Sequence, residues 1–390
     1  SPAPRDYGIT ATSSLPERRL RTLKHGHTFG LFDPHGDILP GPDMPDGLFH
    51  DDTRFLSGLQ MCFNGRRPLL LSSAIQDNNA LLSVDLTNPD IFEGDRLLLA
   101  KDVIHLLRAK FVWQGRCFER LRIQNYDDRT HSFTLSYRFE ADFADLFEVR
   151  GHQRTRRGAV TASVEGPDSV RFDHKALDGK KQSLLLRFSP EPRLLKPDRA
   201  DFELTLEPGG QAQIFLTCIC ATPEGAPEAG EAHFLKCYRK ARRDHRRSTS
   251  RAATVETSND IFNEVLCRSM ADLYMLLTDT EEGPYPFAGV PWYSTVFGRD
   301  GIITAIEMLW VDPEIARGVL CHLAANQATA VDTRSDAEPG KILHEVRLGE
   351  MARLGEVPFR RYYGSVDATP LFVLLAGLYH ERTQDLDTIL

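Results

Sequence analysis

The pattern of hydrophobic and polar positions changes once along the chain, near residue 225. Before this point, short apolar runs alternate with period two between turn residues, which is typical of antiparallel strands with one buried face. The clearest run places Phe133, Leu135, Tyr137 and Phe139 on one side of a strand. Roughly 200 residues of this kind predict an antiparallel β-sandwich.

Two neighbouring runs in this part predict a β-hairpin. Residues 202–206 alternate, the sequence Glu207-Pro-Gly-Gly210 supplies a turn, and alternation resumes from Ala212. We therefore expect these two strands to pair with each other.

After residue 258 the apolar period becomes 3.6, which predicts helices. The first has Ser258 as its N-cap and an apolar face made of Phe262, Val265, Leu266, Met270, Leu273 and Leu276. The second follows Gly298, with the face Ile302, Ile303, Ile306 and Leu309. The third starts at Asp312 and Pro313 and buries Ile315, Val319, Leu320 and Leu323. A fourth begins near Asp367, and the segment from Asp385 starts a fifth.

These patterns predict three regions: a β-sandwich over residues 1–222, a linker with a basic helix over 223–257, and a helical domain over 258–390. Pro, Gly and Ala dominate Pro223 to Glu231, and a run of basic residues extends from Lys236 to Arg251. The run favours a solvated helix over a phosphate-binding one, because Tyr238 is its single Phe, Tyr or Trp residue and no series of aromatic residues interleaves with it for base stacking.

Composition narrows the class of protein. The 390 residues carry a net charge of −8 with pI near 5.9, which argues against a nucleic-acid partner. The longest apolar run, Leu371 to Tyr379, is about half a membrane span, so no membrane partner is expected. Ser1 to Leu23 lacks an export signal, and seven scattered cysteines predict buried free thiols in the cytoplasm. No metal-ligand spacing or nucleotide-binding glycine motif occurs, so no metal and no cofactor are predicted.

The loop from Glu281 to Asp300 is a candidate sugar site. It contains five aromatic residues, Trp292 and Tyr293 among them, and ends in Arg299-Asp300 at the start of a helix. An apolar ring face suits one side of a sugar, and a carboxylate and a guanidinium suit its hydroxyls. An alternative is that Asp300 caps the helix while Arg299 pairs with a nearby acid.

A second loop, Asp332 to Ser365, is too long and polar for an ordinary connection. Its acids, including Glu345, could bind a polyol, act as acid or base, or face solvent. Asp367, which follows it, could equally be the N-cap of the fourth helix.

Several of these segments resemble one family, the bacterial amylo-α-1,6-glucosidase-like proteins, which belong to the six-hairpin glycosidases and are related to the glucosidase half of glycogen debranching enzyme. In the first half the resemblance rests on residues 27–37, 47–56, 84–90 and 139–151. In the second half it rests on residues 291–300, 339–345 and 363–369. It implies a β-domain followed by the first helices of an (α/α)6 barrel.

The resemblance also implies an inverting glycoside hydrolase that needs no cofactor and acts on α-1,6 branch linkages of an α-glucan. In such enzymes one carboxylic acid protonates the glycosidic oxygen while a carboxylate about 6.5 to 9.5 Å away activates water. Arg299 and Asp300 resemble the pair that holds the non-reducing sugar. Trp292 and Tyr293 would lie beside them, and Glu345, Tyr363 and Asp367 would line the same barrel mouth.

The chain departs from the family pattern because it supplies only part of a barrel. No Trp-x-Asp segment suitable for the acid is found, so both catalytic carboxylates are expected beyond Leu390, with Asp367 as a weak fallback for the acid. Two alternatives stay open. One is a fragment that only binds glucan, associates with itself or pairs with the missing barrel half. The other is a relative that cleaves a different glycoside, such as trehalose, glucosylglycerate or a rhamnoside.

Overall fold

The computed structural model describes residues 19–41, 44–220 and 228–389. The strands of the first half are β1 Arg21–His25, β2 Thr28–Phe32, β3 Gly47–His50, β4 Thr53–Leu56, β5 Gly58–Phe63, β6 Leu69–Ile75, β7 Leu82–Thr87, β8 Ile91–Glu93, β9 Arg96–Leu99, β10 Ile104–Trp113, β11 Arg116–Asn125, β12 His131–Glu140, β13 Ala144–Asp145, β14 Ala159–Val164, β15 Ser169–Lys175, β16 Lys181–Ser189, β17 Leu194–Lys196, β18 Arg199–Leu206 and β19 Gln211–Ile219. The second half adds strands β20 Leu277–Thr280 and β21 Gly283–Pro286. The helices are α1 Leu146–Val149, α2 Glu231–Thr249, α3 Asp260–Leu276, α4 Gly298–Met308, α5 Pro313–Ala325, α6 Glu350–Arg353, α7 Ala368–Thr383 and α8 Leu386–Ile389.

The predicted β-sandwich is confirmed. An eight-stranded sheet, ordered β14-β15-β16-β19-β11-β10-β7-β6, faces a four-stranded sheet, ordered β17-β18-β12-β5. The inward residues predicted on β12 are all buried and share one apolar core with residues of the opposite sheet. Every pair of neighbouring strands is antiparallel.

The predicted hairpin is wrong. The turn at Glu207 forms, with the Gly210 amide donating to the Glu207 carbonyl, but it leads from one sheet to the other. Strand β18 pairs with β12 and β17, whereas β19 pairs with β11 and β16. Alternation specified which face of each strand is buried, but two strands that face each other across a core have the same alternation as two that pair.

A smaller sheet connects the sandwich to the helices. It has the order β1-β2-β3-β4-β13, and one of its faces contributes Leu23, Phe32 and Leu48 to the sandwich core. Its opposite face packs Phe29 and Phe49 with aliphatic neighbours against the segment that contains Trp292. The β-domain therefore contacts the loop that the sequence marked as a candidate site.

The helices bury their predicted apolar faces to different extents. Helix α5 has Asp312 as its N-cap and Pro313 in its first turn, and it buries the four predicted residues. Helix α3, by contrast, is capped by Asn259 rather than Ser258, and Phe262 and Val265 on its predicted buried face are about half exposed. In the part of the chain that is described, no other element covers this end of α3. Helix α4 is rotated from prediction, because Ile303 is exposed while Ala305 and Met308 are buried.

The basic run lies on α2, whose inner face is anchored to the sandwich. Phe234 and Cys237 pack against aromatic residues of the eight-stranded sheet, and Asp244 accepts a hydrogen bond from the Trp113 indole. Residues 221–227, which comprise the end of the predicted β-sandwich region and the start of the predicted linker at 223, lie outside the described residues. All seven cysteines are free, but Cys267 is exposed and Cys321 is half-buried, whereas all were predicted to be buried. None of the described helices has the length and apolar character needed to cross a bilayer.

Candidate functional site

The Arg299-Asp300 pair is placed by a close approach at the start of α4. A Cβ added to Gly298 would overlap the Leu343 carbonyl oxygen, so only glycine lets the helix begin this near to the second loop. Phe297 forms a β-bridge with Glu345, and its carbonyl accepts a hydrogen bond from the buried Tyr285 hydroxyl. The first turn of α4 is thus fixed on both sides.

The structure brings Arg299, Asp300 and Asp367 together, and we call these three residues the α4–α7 cluster. Arg299 Nη1 lies 3.5 Å from Asp367 Oδ2, and Arg299 Nε lies 3.9 Å from Asp300 Oδ2. All three side chains are nearly half exposed. Because Arg299 and Asp367 meet, α4 and α7 begin side by side, at the same end of the helical domain.

Neither carboxylate of the cluster acts as a helix cap. Phe297 occupies the N-cap position of α4, and Asp300 lies within the first turn. In α7 the Asp367 side chain caps nothing, and the Ala368 amide donates instead to Ser365 Oγ at 3.2 Å. The capping alternative is therefore wrong for Asp300, whereas Asp367 does occupy the N-cap position of α7 but makes no capping hydrogen bond with its side chain.

The ionisation of Asp367 favours a role as a hydrogen-bond acceptor for a bound molecule over a role as a general acid. A hydrogen bond from Ser365 at 2.5 Å, together with the nearby Arg299 guanidinium, lowers the pKa of Asp367. A general acid needs a raised pKa in order to hold its proton near neutral pH. A charged Asp367 is suited to accept hydrogen bonds from sugar hydroxyls.

Glu345 lies behind the cluster and is largely buried. Its Oε1 accepts a 2.7 Å hydrogen bond from Arg347 Nε. Arg347 also donates to Asp52 of the β-domain at 3.0 Å and to the Trp292 carbonyl at 2.8 Å. The guanidinium stands between the rings of Phe147 and Phe297, with its Cζ 5.4 and 5.6 Å from their centroids. Burial by itself lowers the pKa of Arg347, but the carboxylates of Asp52 and Glu345 outweigh this effect, so the pKa is raised and Arg347 stays charged.

The two aromatic candidates of the first loop have different environments. Trp292 is partly buried against the small sheet of the β-domain, where its ring serves packing. Tyr293 is 45% exposed, meets Phe297 edge to face, and carries Arg150 of the β-domain over its ring. Tyr293 is the better placed of the two to present a ring face to a ligand.

Tyr363 does not join the cluster. It is buried, its hydroxyl donates to the Asn326 carbonyl at 2.9 Å, and burial raises its pKa. It borders a cavity of about 1590 Å³ that none of the three cluster residues lines. His27 and Asp51, which flank strands β2 and β3 of the small sheet, line the same cavity, so the β-domain forms part of its wall.

Sequence reasoning missed the residues that hold the two parts together. Asp52 accepts from the Leu348 amide and from Arg347, while Asp145 Oδ2 accepts from the Met351 amide at 2.9 Å. Arg154 forms ion pairs with Glu350 and Glu356. The spacing of Glu345 and Arg347, two residues apart, was a usable signal for their ion pair. Asp52 and Asp145 lie in segments that carry the family resemblance, but nothing in those segments indicated their contacts with the helical part. Across the described ranges, no group of three His, Cys, Asp or Glu side chains is arranged to hold a metal.

Comparison with known proteins gives the family. Residues 23–217 match the profile of the N-terminal domain of (some) glycogen debranching enzymes, which is half of the chain. The chain belongs to this family. No curated protein matches it.

Two solved structures extend the likeness beyond the family's N-terminal domain. A putative kojibiose phosphorylase from the human microbiome superposes with a TM-score of 0.61 at 10% identity, over 94% of this chain and 54% of its own. A bacterial glucoamylase complexed with acarbose gives 0.51 at 11% identity, over 98% and 59%. Family and fold thus agree on a β-domain joined to helices. The chain spans a little over half the length of the two structures it resembles.

Proposed function

We propose that the chain carries the β-domain and part of the sugar site of a glycoside hydrolase of the glycogen-debranching type, which hydrolyses α-1,6-glucosidic branch linkages with inversion. The observation that carries the proposal is the α4–α7 cluster: one guanidinium between two carboxylates, all partly exposed, at the shared end of two helices. Family membership and the likeness to two carbohydrate-active enzymes agree with it. The helices are then the first part of an (α/α)6 barrel.

In this proposal the cluster holds the terminal sugar. Arg299 donates to vicinal hydroxyls, while Asp300 and Asp367 accept from them; such charge-assisted bonds are about twice as strong as neutral ones. Tyr293 provides a ring face at one side, and Trp292 and Glu345 hold the loop and the back wall. Tyr363 supports the second loop from within and does not touch the sugar.

The proposal assigns the catalytic acid and base to no described residue. An inverting pair needs a protonated acid on one side of the glycosidic bond and a base about 6.5 to 9.5 Å away on the other. Asp367 fails as the acid because its pKa is lowered rather than raised. Glu345 fails as a freely moving acid because Arg347 holds Oε1.

The experiment is hydrolysis of isomaltose and of a branched limit dextrin by the purified chain. Asp300→Asn is run beside it, and so is a longer protein that contains this sequence. We expect glucose release by the longer protein and none by the longer protein with Asp300→Asn. Activity of the 390-residue chain by itself would place the acid within it, and Asp367 and Glu345 would have to be reconsidered.

Three further arms separate the alternatives. Trehalose, glucosylglycerate and a rhamnoside test for a different glycoside, and kojibiose with inorganic phosphate tests for phosphorolysis. If the proteins bind isomaltose but neither the 390-residue chain nor the longer protein hydrolyses it, the remaining interpretation is a glucan-binding or assembly module. If no form binds or cleaves any of these sugars, the proposed function is wrong.

A further inference from the structure

A small cavity lies between the β-domain and the helical part of the chain. Its volume is about 180 Å³, and it is lined by Phe147, Arg150, His152, Tyr293, Phe297, Glu345, Val357 and Phe359. Phe297 lies two residues before Arg299, so the start of α4 connects the cavity to the α4–α7 cluster along the chain. Three of the lining residues come from the β-domain and five from the helical part.

We propose that this cavity is a second sugar subsite, which holds the next hexose unit of an α-glucan whose terminal unit lies in the cluster. The inference rests on the proposed function and adds a second contact site to it. It assigns a binding role to the segment Phe147–His152 of the β-domain.

The lining has the chemistry of a neutral sugar site. Aromatic rings form most of the walls, with Phe147 stacked on Phe359 at 5.6 Å and Tyr293 edge to face with Phe297 at 5.8 Å. Ring faces suit the C–H side of a hexose, and a few convergent polar groups suit its hydroxyls.

Polar groups with unused capacity border the cavity. Arg347 occupies Oε1 of Glu345, whereas Oε2 accepts no hydrogen bond within the described part of the chain. The Arg150 guanidinium lies over one face of the Tyr293 ring and makes a 3.4 Å hydrogen bond to the Tyr293 hydroxyl, which leaves its other donors for a ligand.

The charge balance favours a neutral ligand over an anion. Arg347 behind the cavity is matched by two carboxylates, Asp52 and Glu345, so its charge is compensated. Arg150 and Glu345 both line the cavity and carry opposite charges. An anionic ligand would have to approach that carboxylate and would be repelled.

The geometry is held in place before any ligand arrives. Arg347 bonds Glu345, Asp52 and the Trp292 carbonyl at once and is sandwiched by two rings. Positioning of this kind lowers the ordering cost of binding.

The test is calorimetric titration of the full chain with glucose and with isomaltose. The variant is Arg150→Gln, and the matched control is Arg156→Gln, which makes the same change in the same loop at an exposed residue that does not line the cavity. We expect Arg150→Gln to lower the affinity for isomaltose at least tenfold and to leave the affinity for glucose unchanged, because glucose needs only the cluster. Arg156→Gln should leave the affinity for both sugars unchanged.

Equal isomaltose affinity in Arg150→Gln and Arg156→Gln, with the wild-type chain binding both sugars, would overturn the second subsite and leave the proposed function standing. Binding of neither sugar by the wild-type chain would overturn both. A crystal of the chain soaked with isomaltose gives an independent readout. Density for a ring between Tyr293 and Phe359 supports the subsite, and density confined to Arg299 and Asp367 contradicts it.

Discussion

Asp52 and Arg347 lie 295 residues apart in the chain and form a buried ion pair, with Oδ1 and Nη1 3.0 Å apart. Through Arg347 the β-domain holds Glu345 and the Trp292 carbonyl, two parts of the candidate site. Buried charges of this kind are costly when one partner is removed. The β-domain thus determines the geometry of a site whose exposed residues belong to the helices.

Asp52→Asn is expected to lower the free energy of unfolding by about 3 kcal/mol, because it leaves Arg347 buried with one carboxylate instead of two. Urea unfolding of the full chain measures this change. Asp128→Asn is the control, since Asp128 pairs with Arg129 at 3.8 Å on an open surface and its loss should leave stability unchanged. An equal response of the two variants would show that the buried pair is not a major contact.

Two glycine substitutions are expected to have opposite effects. Gly298→Ala places a methyl group against the Leu343 carbonyl and should destabilise the fold by about 2 kcal/mol, while displacing Arg299. Gly377→Ala, in exposed space on α7, should stabilise by up to about 1 kcal/mol because alanine favours the helix. Thermal unfolding distinguishes them, and a harmless Gly298→Ala would refute the close approach.

Asp145 should make stability depend on pH. Burial raises the pKa of Asp145 to about 7, although the Met351 and Phe147 amides donate to it. In the unfolded chain the carboxyl titrates near its ordinary pKa of 3.8, so the folded state binds more protons between about pH 4 and 7. The stability contributed by the protonated group is complete below this window and is lost as pH rises through it, by up to about 1.4 kcal/mol per pH unit.

Asp145→Asn should flatten this dependence. Urea unfolding of both proteins across the window compares the slopes, and the wild type should lose more stability than the variant as pH rises. Parallel curves would mean that Asp145 is ionised in the folded state as in the unfolded one.

Lys24 should make stability depend on pH in the opposite direction, and at higher pH. Burial lowers the pKa of Lys24 from 10.5 to about 7, and its ammonium contacts the Gly26 carbonyl, Thr278 and the ring of Phe287. The unfolded chain therefore binds more protons between about 7 and 10.5, and stability rises with pH there, again by up to about 1.4 kcal/mol per unit. Lys24→Met should remove this rise in alkaline unfolding experiments. A rise that persists in the variant would assign it to another group.

The sequence predicted elements better than partners. The alternating faces of β12 and the cap of α5 follow from local rules, and the structure has both. The pairing of β18 and β19 failed because alternation identifies a buried face and not the strand beside it. Helix α3 failed in another way, since an apolar stripe predicts a buried face only where a neighbour covers it.

In the candidate site, too, the sequence identified residues but not their contacts. Motif resemblance identified Arg299, Asp300 and Asp367, which the structure brings together. It could not reveal that Ser365 Oγ, rather than the Asp367 carboxylate, accepts from the Ala368 amide, or that Glu345 is held by Arg347. Asp52 and Arg150 lie within segments that carry the family resemblance, but no role was assigned to either, because their contacts exist only where the β-domain meets the helices.

The central claim is that the α4–α7 cluster binds the sugar, and the most direct test compares Arg299→Gln with Arg317→Gln by calorimetric titration of isomaltose. Both arginines are nearly half exposed and pair loosely with acids, so each variant should keep its stability within about 0.5 kcal/mol. We predict at least a tenfold loss of affinity for Arg299→Gln and none for Arg317→Gln. Wild-type affinity in Arg299→Gln would contradict the account.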